Sequence, residues 1–101
     1  MKPTMTAEAS LDRALHAIAD PTRRRILQAL REGAKTKDRN GCLCAGDIEE
    51  RIHLSQPTIS HHMAILTKAG LVEASKQGQW RWYRRNEKAL RSVVKALRGK
   101  L

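Results

Sequence analysis

Apolar side chains recur along this chain at two spacings, and the change from one to the other divides it. From Glu8 to about Ala19, Leu11, Ala14, Leu15 and Ile18 fall three and four residues apart, the signature of one face of a helix. DPTRRRILQALREG repeats that spacing with Ile26, Leu27 and Leu30. It also carries its own punctuation: Asp20 as N-cap, Pro21 in the first turn and Gly33 as terminator. AKTKDRNG is polar and turn-rich and predicts a loop of roughly eight residues. AGDIEERI then turns Ile48 and Ile52 inward and its acids outward. HL makes a turn, and Ser55 caps a further helix, QPTISHHMAILTKAG, with Ile59, Met63 and Leu66 on one face and Gly70 at its end. Beyond Gly70 the strand-like segments LVEASK and WRWYRR flank a hairpin tip, QGQ, centred on Gly78. From Asn86 the helical spacing returns, with Leu90, Val94, Leu97 and Leu101 in one stripe and Val93 beside it.

These elements predict a mainly α domain with a small β-hairpin. Two helices joined by a short turn, the second exposing short polar side chains in its first turns, are a helix-turn-helix, and a hairpin directly after it is a wing. Residues 1–7 are expected to be a disordered tail and residues 8–101 one winged helix-turn-helix domain. A terminal helix with that much apolar surface, in so small a domain, is expected to pack on another chain.

Charge narrows the class of partner. Lys and Arg total 20 against 10 Asp and Glu, a net charge of +10 in 101 residues. Residues 76–101 alone hold nine basic side chains and one acid, Glu87. Such an excess favours a polyanion, and the helix-turn-helix makes that polyanion double-stranded DNA. No apolar run approaches the ~20 residues that span a bilayer, so no membrane partner is expected. MKPTMTAEAS has no apolar signal core, and two cysteines without export features suit reduced thiols in the cytoplasm.

In order and spacing, ALHAIADPTRRRILQAL, LSQPTISHHMAILTKAGLV and KQGQWRWYR make residues 10–100 resemble the ArsR/SmtB family of bacterial winged-helix repressors. The resemblance implies a homodimer joined through the first and last helices, an operator occupied to repress, and release when an inducer binds. On a helical wheel Ile59, Met63 and Leu66 face inward, leaving Pro57, His61, Ala64 and Lys68 outward. Gln56, Thr58 and Ser60 flank the exposed first turns. Gln can pair bidentately with adenine, and Ser and Thr can reach bases or phosphates. The resemblance therefore assigns DNA reading to Gln56, Thr58, Ser60 and His61. His62 lies on the inward flank, as a hydrogen-bonded structural histidine. Lys76, Gln79 and Arg81 on the wing would meet phosphates or the minor groove. Arg23, Arg24 and Arg25 suit either backbone phosphate or a solvated face. Trp80, Trp82 and Tyr83 read as core and wing packing rather than as a stacking platform for single strands.

The only cysteines, Cys42 and Cys44 in GCLCAGD, are the candidate sensor. The family resembled here senses soft metals through a Cys pair at the start of the third helix, and harder metals through Asp, His and Glu on the last helix. From Asn86 to Leu101 there is no His, Asp or Cys, so the second kind of site lacks ligands. The first kind resembles ELCVCDL. Aligning on Asp47 and Ile48 puts Cys44 at its first Cys, Gly46 at its second and Cys42 two residues upstream.

Two thiols that close can share one As(III) or Sb(III) ion. The third ligand would then be a non-Cys group such as His53 or His16, the partner's thiol or a small exogenous thiol. Two alternatives stand beside this. A redox or persulfide switch could use thiolates favoured by Lys35, Lys37 and Arg39, with a strained, labile disulfide between residues two apart. Or the pair is incidental.

No cofactor is expected to be needed for DNA binding. An enzyme such as an arsenate reductase would want a strand–loop–helix anion cradle around its nucleophilic Cys, which GCLCAGD does not offer, so no enzymatic activity is expected. A nucleoid-binding protein would show no operator preference.

Overall fold

The computed structural model describes residues 7–35 and 41–101. The expected tail (1–7, apart from Ala7) and most of the expected 34–41 loop, with Lys37 and Arg39, lie outside them. The elements run α1 (Ala7–Ile18), α2 (Pro21–Gly33), β1 (Leu43–Cys44), α3 (Ala45–Ile52), α4 (Gln56–Lys68), β2 (Val72–Gln77), β3 (Trp80–Arg85) and α5 (Glu87–Lys100).

The helical stripes read from the sequence supply the core. Ile26, Leu30, Ile48, Ile59, Met63 and Leu66 are all essentially fully buried, and Leu71, Val72 and Tyr83 close the core from the strands. In α1 the small side chains Ala14 and Ala17 are the deepest, while Leu15 and Ile18 are half-buried. The Asp20 carboxylate accepts from the Arg23 N–H at 3.0 Å, and Asn86 accepts from the Ala89 N–H at 3.0 Å, capping α2 and α5. The turn between α3 and α4 hinges on His53, which takes the left-handed conformation (φ 62°) as its N–H closes on Glu49 O at 2.8 Å.

The sheet departs from the two-stranded hairpin expected. It has three antiparallel strands in the order β1-β3-β2, with Leu43 opposite Tyr83 and Cys44 opposite Trp82. Two residues are too few for a periodicity to show, so β1 is invisible to the pattern that found the other strands. Its anchor is Leu43, 4% exposed and packed against Gly33, where a Cβ would sit 2.7 Å from Leu43 Cγ. Gly33 was expected to end α2 in a left-handed turn. Instead it is the helix's last residue without a positive φ, the C-cap is Ala34 in the right-handed region, and the missing side chain makes room for β1. At the other end of the sheet, Gly78 (φ 62°) begins the two-residue loop between Gln77 and Trp80, which pair across the hairpin.

Arg23 corrects the surface role considered for the Arg23–Arg25 run. It is buried to 7% exposure and donates to Ala17 O at 2.6 Å and His16 O at 3.1 Å. Arg24 donates to Ile18 O at 2.8 Å, and Arg25 reaches Ile52 O at 3.5 Å. Periodicity cannot separate an arginine that caps a neighbouring helix from one that faces water.

Gly33→Ala is expected to cost about 1–3 kcal/mol by overpacking Leu43, read as a lower urea midpoint at unchanged m-value. Gly99→Ala, whose methyl meets nothing within 4 Å, is the control and should lose nothing. Equal midpoints for wild type and Gly33→Ala would mean that Leu43 yields freely.

Candidate nucleic-acid interface

α4 presents two faces. Ile59, Met63 and Leu66 hold one in the core, while Gln56, Pro57, Ser60, His61 and Ala64 are exposed on the other. Ser55 occupies the N-cap position but makes no side-chain bond to the backbone; its hydroxyl is 3.0 Å from Thr58 Oγ1. Thr58 is half-buried with its hydroxyl in that contact. The first turn of α4 therefore has no side-chain cap, and the positive end of its dipole suits an anion.

The wing stands across from this turn. One open groove of about 510 Å³ is lined by Gln56 and Ser60 from α4, Lys76, Gln79, Trp80 and Arg81 from the wing, and Ala45, Gly46 and Glu49 from α3. Five of the seven sequence-nominated contact residues meet there. His61, exposed on α4, and Thr58, half-buried, do not line it. Lys76 and Arg81 are cross-strand partners. Like charges placed opposite each other cost the hairpin stability, and a bound polyanion relieves that cost. Arg84 and Arg85 differ: Arg84 pairs with Glu73 at 3.2 Å, and Arg85 pairs with Glu87 at 2.8 Å and donates to Leu27 O at 3.2 Å. The aromatic alternation on β3 resolves into a buried Tyr83, a half-buried Trp82 and a Trp80 that is 56% exposed on the groove wall. For Trp80, packing is therefore replaced by exposure, and its only sequence cue was its place beside the hairpin tip.

At the other end of the sheet, Cys42 is half-buried and Cys44 is 8% exposed; both are thiols. Cys44 is the N-cap residue of α3, and its N–H and Sγ each lie 3.2 Å from Asp47 Oδ2, so the carboxylate three residues on accepts from both. Lys35, one of the cations considered for thiolate stabilisation, pairs with Glu32 at 3.4 Å. Among the described residues no three or more His, Cys, Asp or Glu side chains are grouped to hold a metal. His16 and His53 thus complete no such group with the thiols.

Helix-turn-helix, wing and shared basic groove together define a winged-helix DNA-binding regulator. Residues 20–74 match the family model described as "Bacterial regulatory protein, arsR family". The chain belongs to the ArsR family, whose members are DNA-binding transcriptional regulators and repressors. It is 40% identical over 78 residues to the transcriptional repressor SdpR of Bacillus subtilis, covering 77% of this chain and 78% of that protein. It is 36% identical over 83 residues to an arsenical resistance operon repressor of Staphylococcus aureus, covering 82% and 72%. The fold resembles the crystal structure of an ArsR family transcriptional regulator with a TM-score of 0.76 at 22% identity, over 96% of this chain and 91% of that one. No helix among the described residues is long and apolar enough to cross a membrane.

The burial difference between the thiols sets an order of reactivity. In native protein, Cys42 (Cys44→Ser variant) should react with Ellman's reagent roughly tenfold faster than Cys44 (Cys42→Ser variant), because Cys44 must first open locally. In denaturant the two rates should converge. Equal native rates would contradict the buried, Asp47-bonded position of Cys44.

Proposed function

We propose that the protein represses transcription as a homodimer on double-stranded operator DNA, with α4 in the major groove and the β2–β3 wing on the flanking backbone or minor groove. The observation that carries this reading is the groove that α4 and the wing share, basic on the wing side and polar on the helix side. In this reading Gln56 pairs with an adenine edge, while Ser60 and His61 reach bases or phosphates. Thr58 contacts the backbone at the helix start, and Lys76, Gln79 and Arg81 hold the wing to the strand. The dimer is supported by α5, which has no buried residue and leaves Val94 58% and Leu101 fully exposed. A Lys100–Glu8 ion pair ties α5 to α1, so the two helices present one surface.

The inducer this reading favours is a thiophilic metalloid, As(III) or Sb(III), held by Cys42 and Cys44. Soft-donor chemistry supports it, as does likeness to a relative named for arsenical resistance. A third ligand then comes from the partner subunit or a small exogenous thiol. A redox or persulfide switch at the same thiols is the second reading. It needs only the two thiols, which are unbridged, and no third ligand.

Fluorescence anisotropy of the reduced protein on DNA from upstream of its own gene should show binding at least ~10³-fold tighter than to random duplex. Equal affinity would sink the repressor reading. Lys76→Gln or Arg81→Gln should each lower the slope of log K against log salt by about 1. Gln56→Ala should relax preference at one base pair by about 1–3 kcal/mol. Arsenite should release the wild type but not the Cys42→Ser, Cys44→Ser variant. If arsenite leaves both bound and peroxide or polysulfide releases only the wild type, the second reading holds.

A further inference from the structure

Among the described residues Arg23 is the only buried polar or charged side chain, and no buried side-chain nitrogen or oxygen lacks a partner. Its fork points two ways. Nε and Nη2 take the carbonyls of Ala17 and His16 in the last turn of α1. These carbonyls have no amide beyond the helix end to meet, and a cation there also suits the negative end of the dipole. Nη1 lies 3.2 Å from Nδ1 of His62, in the middle of α4. One guanidinium therefore joins the end of α1 to the helix that carries the proposed readers.

The chemistry of that contact fixes a protonation state. Arginine only donates, so His62 Nδ1 must accept and the ring proton must sit on Nε2. A second proton would put a donor against a donor and turn the contact into a repulsion between two cations. His62 also stands edge to face with His61, ring centroids 5.6 Å apart, so its placement is passed to an exposed residue on the DNA side.

We propose that Arg23 and His62 are a positioning pair that locks α4 to the C-terminus of α1, and that protonation of His62 unlocks it. The pair touches no DNA itself. It sets the angle at which α4 leaves the body of the domain, and so the match between the two reading helices of a dimer. This rests on the proposed reading of α4 as the DNA-contacting helix.

The charged groups that bear on His62 are Asp20 at the start of α2, Arg23 on α2 and His61 on α4. Burial first, then Arg23 and His61, hold its pKa below the usual 6.5, against the pull of Asp20. The neutral ring is therefore the folded form at neutral pH. As pH falls below 6.5 the unfolded chain takes up the proton first, and the preference for the locked fold is lost as pH passes through the lower folded value.

The test compares operator affinity of the wild type and His62→Asn from pH 8 to pH 5.5. Asn offers Oδ1 where His offers Nδ1, accepts from Arg23 and does not titrate. The two proteins are compared as the ratio of their Kd values. That ratio should be near one at pH 8 and rise to about ten at pH 5.5 as wild type alone loses the lock. His62→Gln, whose amide reaches past the Nδ1 position, should bind weakly at every pH while its far-UV circular dichroism matches wild type. A flat ratio, or a wild type that tightens relative to His62→Asn, overturns the positioning pair even where operator preference at pH 8 is intact. Loss of operator preference in all three proteins at pH 8 overturns the DNA-reading assignment instead, and the pair's role with it. NMR gives a readout without DNA: amides at the end of α1 and along α4 should shift together through the His62 titration in wild type and stay still in His62→Asn.

Discussion

Ile59, Met63 and Leu66 fix what this protein can show to DNA. All three lie at or below 1% exposure, and each contributes about 1.5–3 kcal/mol by leaving water. A helix has one rotation that buries such a set. Turning α4 by a single residue, about 100°, would expose part of it and bury the polar face that now looks out. The presentation of Gln56, Ser60 and His61 follows from the core, not from any bond those residues make. The turn at His53 and the pairing of β2 with β3 then only have to bring the wing alongside a helix whose rotation is already set.

Part of the positive charge is spent inside the fold, and part of it is concentrated on the wing. Arg23, Arg24 and Arg85 are spent on carbonyls of α1 and α2, and Arg84 and Arg85 also face acids. Lys76 and Arg81 stand opposite each other on the wing with their charges adding. A net charge of +10 therefore overstates the charge aimed at DNA and understates its concentration. Longer-range attraction comes from the whole surface and is screened over about 8–10 Å at physiological salt. On the proposed reading the local docking force comes from Lys76 and Arg81, which line the groove beside α4.

The parts of this architecture that repeat were legible in the sequence, and the parts that occur once were not. Stripes at Ile26/Leu27/Leu30, Ile48/Ile52 and Ile59/Met63/Leu66 each gave a helix and its buried face, and α3 falls on the eight residues its pattern marked. The wing followed from its glycine tip and flanking β-formers. β1 escaped because two residues make no period, and its glycine partner reads as a mere helix end. Arg23 escaped because RRR looks alike at all three positions. Only the crossing of α1, α2 and α4 tells which guanidinium points inward. Trp80 and Tyr83 were grouped by composition, yet they lie three positions apart on a strand, and Trp80 is 56% exposed while Tyr83 is buried at 6%.

The cysteines gain their meaning from the same late-appearing strand. Cys44 is held on one side by the Asp47 carboxylate, at the head of the helix that precedes the reading helix. On the other it is held by pairing with β3, opposite Trp82 and one residue from Arg81 on that strand's path to the tip. Each such hydrogen bond contributes about 0.5–1.5 kcal/mol net. Regulatory coupling between two sites is typically about 1–3 kcal/mol. Losing one or two of these contacts is therefore the right size of event to move the balance between bound and released states, and β3 is itself the inner strand of the wing. On the proposed reading, a ligand or oxidant at Cys44 need not rebuild the core or reach across the dimer to be felt. It has only to withdraw Cys44 from Asp47, because the strand it would pull is the one that ends beside the DNA-facing cations.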